Sequence, residues 1–257
     1  MSVDLLAISV GNSRVHAGVF LDEKLVEQAS AAHDDQAEQH ALLRRLGERL
    51  AAAGESAAYL ASVHESAGER IVNRVIEDLG LEPQRMETDV PIPIGRQLDA
   101  EAIVGEDRLL CAAAAYDRLG EACVVVDAGT ALTVDFIDGT GTFHGGAILA
   151  GGQMQLDALH AGTDQLPSVQ LSVPEESIGH STTQAMLCGA YHGLRGAVRE
   201  LVERYAEIYR GWPKVMATGG NASLLFDGYD LVEAIVPDLA LMGMAVARRH
   251  ALNPSEE

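Results

Sequence analysis

Hydrophobic and polar positions follow the same pattern at two places in the chain. Val124-Val125-Val126 is a short β-branched run that reads as a buried strand, and a polar turn, Asp127-Ala128-Gly129-Thr130, follows it. Apolar residues then recur at every second position, Leu132, Val134 and Phe136, until Asp138-Gly139 signals a hairpin. Near the N-terminus, Leu5-Leu6-Ala7-Ile8 leads into Ser9-Val10-Gly11-Asn12-Ser13, and Val15, Ala17 and Val19 alternate after it. Aligning the two stretches sets Ser9 against Asp127, Gly11 against Gly129 and Asn12 against Thr130. One such turn is an ordinary hairpin. Two in the same context point to a duplicated unit, with both turns expected to face one cleft.

The flanking pattern repeats as well. In the first half, Lys24-Leu25-Val26 suits a third strand. A helix is expected from about Asp34 to Ala53, with Leu42, Leu43, Leu46 and Leu50 on one face and Gly54 as its stop. Ala57 to Val63 is strand-like, and Ile71, Val72, Val75, Ile76 and Leu79 recur at helical spacing up to Gly80. After an irregular stretch with Pro91 and Pro93, an alanine-rich helix runs through Leu109, Ala112, Ala113 and Tyr116 to Gly120.

The second half gives a strand over Phe143 to Leu149, a helix through Met154, Leu156 and Leu159, and a polar loop from Pro167 to Ser181. A long helix from about Thr182 to Tyr209 follows, then a strand from Lys214 with a Gly-rich exit at Thr218-Gly219-Gly220, matching Tyr59 to His64. The last helix covers roughly Asp238 to Ala251, and Pro254 to Glu257 reads as a frayed tail. The expectation is two α/β halves with mixed sheets, 1–119 and 120–257, the final helix packing back across the boundary.

Composition narrows the classes. With 47% hydrophobic residues in 257, the chain can bury a large core in one large domain or two smaller ones. No apolar run approaches the ~20 residues that span a bilayer. Met1-Ser2-Val3-Asp4 lacks the basic start of a secretory signal, so a cytoplasmic protein is expected. A net charge of −20, with Lys24 and Lys214 the only lysines, weighs against nucleic acid or an anionic membrane as partner. An anionic substrate must then be held by local features or bound cations. Cys111, Cys123 and Cys188 are scattered and read as reduced, mostly buried thiols.

There is no GxxxxGK[ST], no GxGxxG after the first strand, no HExxH and no GxSxG. Three Gly-containing strand exits, at Gly11, Gly129 and Gly219, suit nucleotide binding without a P-loop. Gly105-Glu106-Asp107-Arg108 precedes an apolar helix and is explained by helix N-terminal chemistry. The functional reading makes Asp107 a general base, with Arg108 and the helix start holding an anion. Ser181-Thr182-Thr183 fits an N-cap, and Gly151-Gly152 a strand-to-helix turn. His144 beside Gly145-Gly146 is the most site-like histidine, although phosphoryl transfer gives histidine no required role.

Taken in order, these motifs resemble those of the type III pantothenate kinases, of the acetate kinase, sugar kinase and actin superfamily, to which the Bvg accessory factor proteins are related. Ser9 to Ser13 is similar to the family's D-x-G-N-T phosphate loop, Gly105-Glu106-Asp107-Arg108 to G-x-D-R, and Asp127 to Asp135 to D-x-G-T-A-x-T-x-D. Gly145-Gly146-Ala147-Ile148, Gly151 and Leu166-Pro167 resemble a glycine-rich segment ending in L-P. Ile178-Gly179-His180-Ser181-Thr182 resembles I-G-K-N-T, and Thr218-Gly219-Gly220 resembles T-G-G.

The resemblance implies two duplicated ribonuclease H-like (actin-like ATPase) domains, with mixed sheets flanked by helices and a cleft between them. It implies transfer of a phosphoryl group from ATP to pantothenate, the first step of coenzyme A biosynthesis. Asp107 would be the base, and Gly105, Glu106, Asp107, Arg108 and Thr182 would contact pantothenate. Ser9, Val10, Gly11, Asn12, Ser13, Gly129 and Thr130 would hold ATP. Asp127 would bind a monovalent cation, K+ or NH4+, while Mg2+ bridges the ATP phosphates. A homodimer is implied.

The chain departs from the family pattern at Ser9, where the family has Asp, at His180-Ser181 in place of Lys-Asn, and at Ala150-Gly151 in place of Gly-Pro. The stretch Gly95 to Ala100 lacks the usual Tyr and Asn-Pro. Ser9 leaves open a second reading, a catalytically weakened nucleotide-binding or regulatory relative.

Overall fold

A computed structural model describes residues 4–51 and 56–253. The predicted start at Met1, the helix end at Ala53 with its stop at Gly54, and the tail from Pro254 lie outside the described residues. The chain divides into two compact units.

In the first unit, β1 (Asp4–Val10) and β2 (Arg14–Leu21) form the predicted hairpin, and β3 (Lys24–Ala32) pairs antiparallel with β2. After α1 (Gln36–Ala51), β4 (Ser56–Ser62) lies parallel to β1, and after α2 (Glu65–Leu79) the short β5 (Gln84–Arg85) lies parallel to β4. The sheet order is β3-β2-β1-β4-β5. Helix α2 stops at Gly80, whose φ of 65° supplies the left-handed cap that a side chain disfavours. Leu6, Ile8, Val15 and Val19 form a core with Leu42, Leu43 and Leu46 of α1 and Ile71 and Val75 of α2.

The second unit repeats the order. β7 (Cys123–Ala128) and β8 (Ala131–Ile137) form the hairpin, and β9 (Thr142–Ala150) joins β8 antiparallel. After α4 (Gly152–Ala161) and α5 (Thr182–Tyr209), β10 (Lys214–Thr218) lies parallel to β7. The short α6 (Ala222–Phe226) leads to β11 (Ala234–Ile235), parallel to β10. The order β9-β8-β7-β10-β11 is that of the first sheet, extended at β9 by β6 (Gly95–Arg96). Val124, Val126, Leu132, Val134 and Phe136 pack on Leu194, Val198 and Val202 of α5.

Two segments cross the boundary between the expected halves 1–119 and 120–257, the second of them the closing helix that was expected to pack back. Residues 96–98 belong to the second unit, where Gln97 N–H donates to the Phe143 carbonyl at 3.0 Å. The closing helix α7 (Leu239–Leu252) belongs to the first unit with Asp238. Leu239, Leu241 and Met244 are buried, and Leu241 reaches the bare Cα of Gly18 on β2. Helix α3 (Glu106–Leu119) also belongs there, and Gly243 packs so closely on Leu110 that a Cβ would lie 2.2 Å from its carbonyl oxygen. Covered on both faces, β1 is buried from Asp4 to Ile8, which is why its sequence is a continuous apolar run rather than an alternation.

Candidate active site

In the first unit, Ser9 is half-buried near the end of β1, in register with Ala61 and His16. Val10 pairs with Val15, and the turn closes when Gly11 N–H donates to the Arg14 carbonyl at 2.9 Å. Asn12 and Ser13 are exposed at its tip. The exit of β4 supports this loop, Val63 N–H donating to the Val10 carbonyl at 3.1 Å.

The same exit receives the start of α3. Oε2 of Glu106 accepts the Ser62 N–H at 3.2 Å, and burial pushes the Glu106 pKa up against the opposing effect of that bond. Asp107 Oδ1 accepts the Arg108 N–H at 2.8 Å. A Cβ on Gly105 would lie 2.5 Å from Asp107 Oδ1 and 3.7 Å from Val63. Thus the end of β4 brings the first loop and the Gly105–Arg108 turn together. The carboxylate of Glu106, expected among the substrate contacts, holds the main chain of Ser62.

In the second unit, Asp127 is half-buried, in register with Thr133 on β8 and Thr218 on β10. Gly129 N–H donates to the Ala131 carbonyl at 3.0 Å, and Thr130 is exposed. This loop holds three residues between its last strand pair, Ala128 with Leu132; the first holds four, between Val10 and Val15. Its carbonyls are tied back. Asn221 N–H reaches the Ala128 carbonyl at 2.9 Å, Asn221 Nδ2 reaches that of Gly129 at 3.4 Å, and Gly151 N–H reaches that of Thr130 at 3.1 Å.

Gly219, at φ 92°, covers Asp127 so closely that a Cβ would lie 2.3 Å from its Oδ1. Both candidate carboxylates are therefore seated against a glycine. A Cβ at Gly151 would lie 2.3 Å from the Thr130 carbonyl oxygen.

Thr182 is exposed and opens α5, where Ser181 is the N-cap, its Oγ accepting the Gln184 N–H at 3.2 Å. The N-cap reading of Ser181 holds. His144 Nε2 bonds Asp138 Oδ2 at 2.8 Å. Asp138 Oδ1 also accepts the N–H groups of Thr140 and Thr142 and the Thr140 hydroxyl. Burial raises the Asp138 pKa, but these bonds outweigh it and hold it well below the usual carboxylate range. His144 thus buttresses the hairpin turn.

Comparison with known proteins decides what these loops belong to. The family description of the type III pantothenate kinase matches residues 5–204. The chain belongs to the type III pantothenate kinase family. A type III pantothenate kinase of Dehalococcoides mccartyi (strain 195) is 32% identical over 265 residues, covering 96% of this chain and 97% of that protein. One of Rhodospirillum rubrum is 39% identical over 163 residues, covering 63% of each chain. The chain thus aligns with under two thirds of the Rhodospirillum relative's length.

Among solved structures, a Campylobacter jejuni protein of the Baf family superposes with a TM-score of 0.60 at 20% identity, covering 97% of this chain and 98% of that one. That likeness concerns the fold alone, an α/β fold with two mixed sheets flanked by helices as the motif order implied. Within it, the sequence pattern had singled out Gly219, Gly151 and Asp107. It gave no signal for Ser62, Val63 or Asn221, whose contribution is a main-chain or amide group aimed at a loop.

Proposed function

We propose that the protein transfers the γ-phosphoryl group of ATP to the primary hydroxyl of pantothenate, giving 4'-phosphopantothenate, the first step of coenzyme A biosynthesis. The observation that carries this reading is the seating of Asp107. Its carboxylate is fixed at the start of α3 by the Arg108 N–H and fits only because Gly105 has no Cβ. A fixed carboxylate beside a phosphate-type loop suits a base that takes the proton from the attacking hydroxyl. Gly105, Glu106, Asp107, Arg108 and Thr182 contact pantothenate, and the Glu106 carboxylate also accepts the Ser62 N–H.

Ser9 to Ser13 hold ATP phosphates in the first unit, and Gly129 and Thr130 do so in the second. Bonds from Asn221 and Gly151 to the carbonyls of Ala128, Gly129 and Thr130 fix the shape of the second loop. Asp127 provides a hard carboxylate oxygen of the kind a monovalent cation, K+ or NH4+, takes. Among the described residues no group of three or more His, Cys, Asp and Glu is placed to hold a metal. That donor set fits Mg2+ held mainly by nucleotide phosphates and water. When bound, Mg2+ neutralises charge on the phosphates. The protein acts as a homodimer in the cytoplasm; no described helix is long and apolar enough to cross a membrane.

A second reading is favoured by Ser9, which leaves the first loop without its carboxylate: a weakened or regulatory relative of the Bvg accessory factor type. Purified protein with ATP, Mg2+, K+ and pantothenate, followed for ADP and phosphorylated product, separates the two. Turnover that Asp107→Asn lowers by roughly a hundredfold to ten-thousandfold supports the kinase and its base. No turnover in the natural protein, restored by Ser9→Asp, supports the second.

A further inference from the structure

The strand that leaves the second loop carries a buried hydroxyl that the fold does not use. Val126, Ala128, Leu132 and Val134 point to the face of the sheet that packs on α5. Alternation along β7 and β8 therefore sends Asp127 and Thr133 to the opposite face. There they stand directly opposite each other, and Thr218 stands beside Asp127 on β10. Three oxygen-bearing side chains thus lie side by side across three strands, with the Cβ atoms of Asp127 and Thr133 about 4.5–5.5 Å apart. On the same face Val125, Asp135, Ile137 and Met216 are all buried.

Thr133 Oγ1 is buried and makes no hydrogen bond among the described residues. Valine has nearly the same shape and would leave no hydroxyl unsatisfied, so packing does not explain the threonine. A buried polar atom without a partner in the fold calls for a water or an ion. Its place in the register points to the ion, because the side chain opposite is Asp127, the carboxylate assigned above to a monovalent cation. A cation of one charge is balanced by one carboxylate. The ligands added to it are then best neutral oxygens, and a threonine hydroxyl offers two lone pairs.

We propose that Thr133 is a ligand of the monovalent cation held by Asp127, its hydroxyl oxygen adding a neutral donor from β8 to the carboxylate on β7. This rests on the cation assignment proposed above and adds to it a residue to which the motifs give no role.

The test uses K+ itself as the ligand. Thermal unfolding of the natural protein, Thr133→Val, Thr133→Ser and Asp127→Asn is followed as KCl replaces choline chloride at constant ionic strength, with and without Mg2+–AMP-PNP. The midpoint should rise with K+ in the natural protein and in Thr133→Ser, and Asp127→Asn should not respond. In Thr133→Val the half-saturating K+ concentration should be at least about tenfold higher. Without K+ that variant should unfold no earlier than the natural protein, since it loses only an unsatisfied hydroxyl. Earlier unfolding there would assign the hydroxyl to the fold and overturn the proposal. So would half-saturation in Thr133→Val within about threefold of the natural value, or failure of Thr133→Ser to respond, and both would leave Asp127 as the cation site. No K+ response in the natural protein, or one that survives Asp127→Asn, overturns the cation assignment and this proposal together.

Discussion

Gly105→Ala is the sharpest perturbation of the proposed chemistry, because it adds one methyl group and should move one carboxylate. The added Cβ would stand 2.5 Å from Asp107 Oδ1, closer than side chains approach, and the other neighbour, Val63 Cγ1, is at an ordinary 3.7 Å. The carboxylate is the end of a side chain and can rotate away, whereas the α3 backbone need not move. Stability should fall by no more than about 1 kcal/mol, the usual net value of one hydrogen bond, here that from the Arg108 N–H. In thermal unfolding this is a loss of roughly 2–4 °C for a chain of this size.

The rate should suffer far more. A displacement of about 1 Å in a positioned group costs on the order of a hundredfold, so kcat should fall by that factor while the KM for ATP stays near its natural value. Steady-state ADP release, run beside a melting curve and beside Asp107→Asn, reads both effects. An unchanged kcat would refute the reasoning. So would a rate loss accompanied by a collapse in melting temperature, because the methyl would then be disturbing the fold rather than the base.

Gly219→Ala should behave in the opposite way. Its φ of 92° disfavours a side chain, and the added Cβ would meet Asp127 Oδ1 at 2.3 Å and the Ala128 main chain at 2.7 Å. Strain and overpacking together should cost about 2–5 kcal/mol, seen in urea unfolding; a loss below 1 kcal/mol would contradict it. Asp138→Ala should destabilise by about 1–3 kcal/mol at neutral pH through its lost hydrogen bonds. The folded pKa of Asp138 is depressed, so its contribution is fully present above 3.8 and disappears as pH falls through the folded value. The gap between natural and variant unfolding midpoints should therefore shrink in acid, and a constant gap would disprove the assignment. Cys123 is buried and its pKa pushed up to about 12, chiefly by burial and then by Glu121. A thiol reagent at pH 8 should label the half-exposed Cys188 first and reach Cys123 only on unfolding.

Much of this architecture was legible along the chain. Alternation in Val15, Ala17 and Val19, and again in Leu132, Val134 and Phe136, marks strands whose two faces differ, and the long helix from Thr182 to Tyr209 follows from its spacing and its Ser181 cap. The two polar turns announced themselves because glycine and small polar residues are what such turns require. The short strands β5, β6 and β11 have two residues each, too few for any period to show.

What only the tertiary structure decided depends on contacts between residues far apart in number. Residues 96–98 belong with the second unit because the Gln97 N–H finds the Phe143 carbonyl there. Gly105 and Gly219 carry no mark of the carboxylates they seat, since the reason for each glycine is another residue's oxygen at less than contact distance. Nor does the sequence around His33 show that its main-chain N–H holds the Ser13 carbonyl, because register across a sheet, and not spacing along the chain, puts the end of β3 beside the first loop. Local pattern determined the elements and the loop chemistry; packing determined which glycine or amide holds each loop in place.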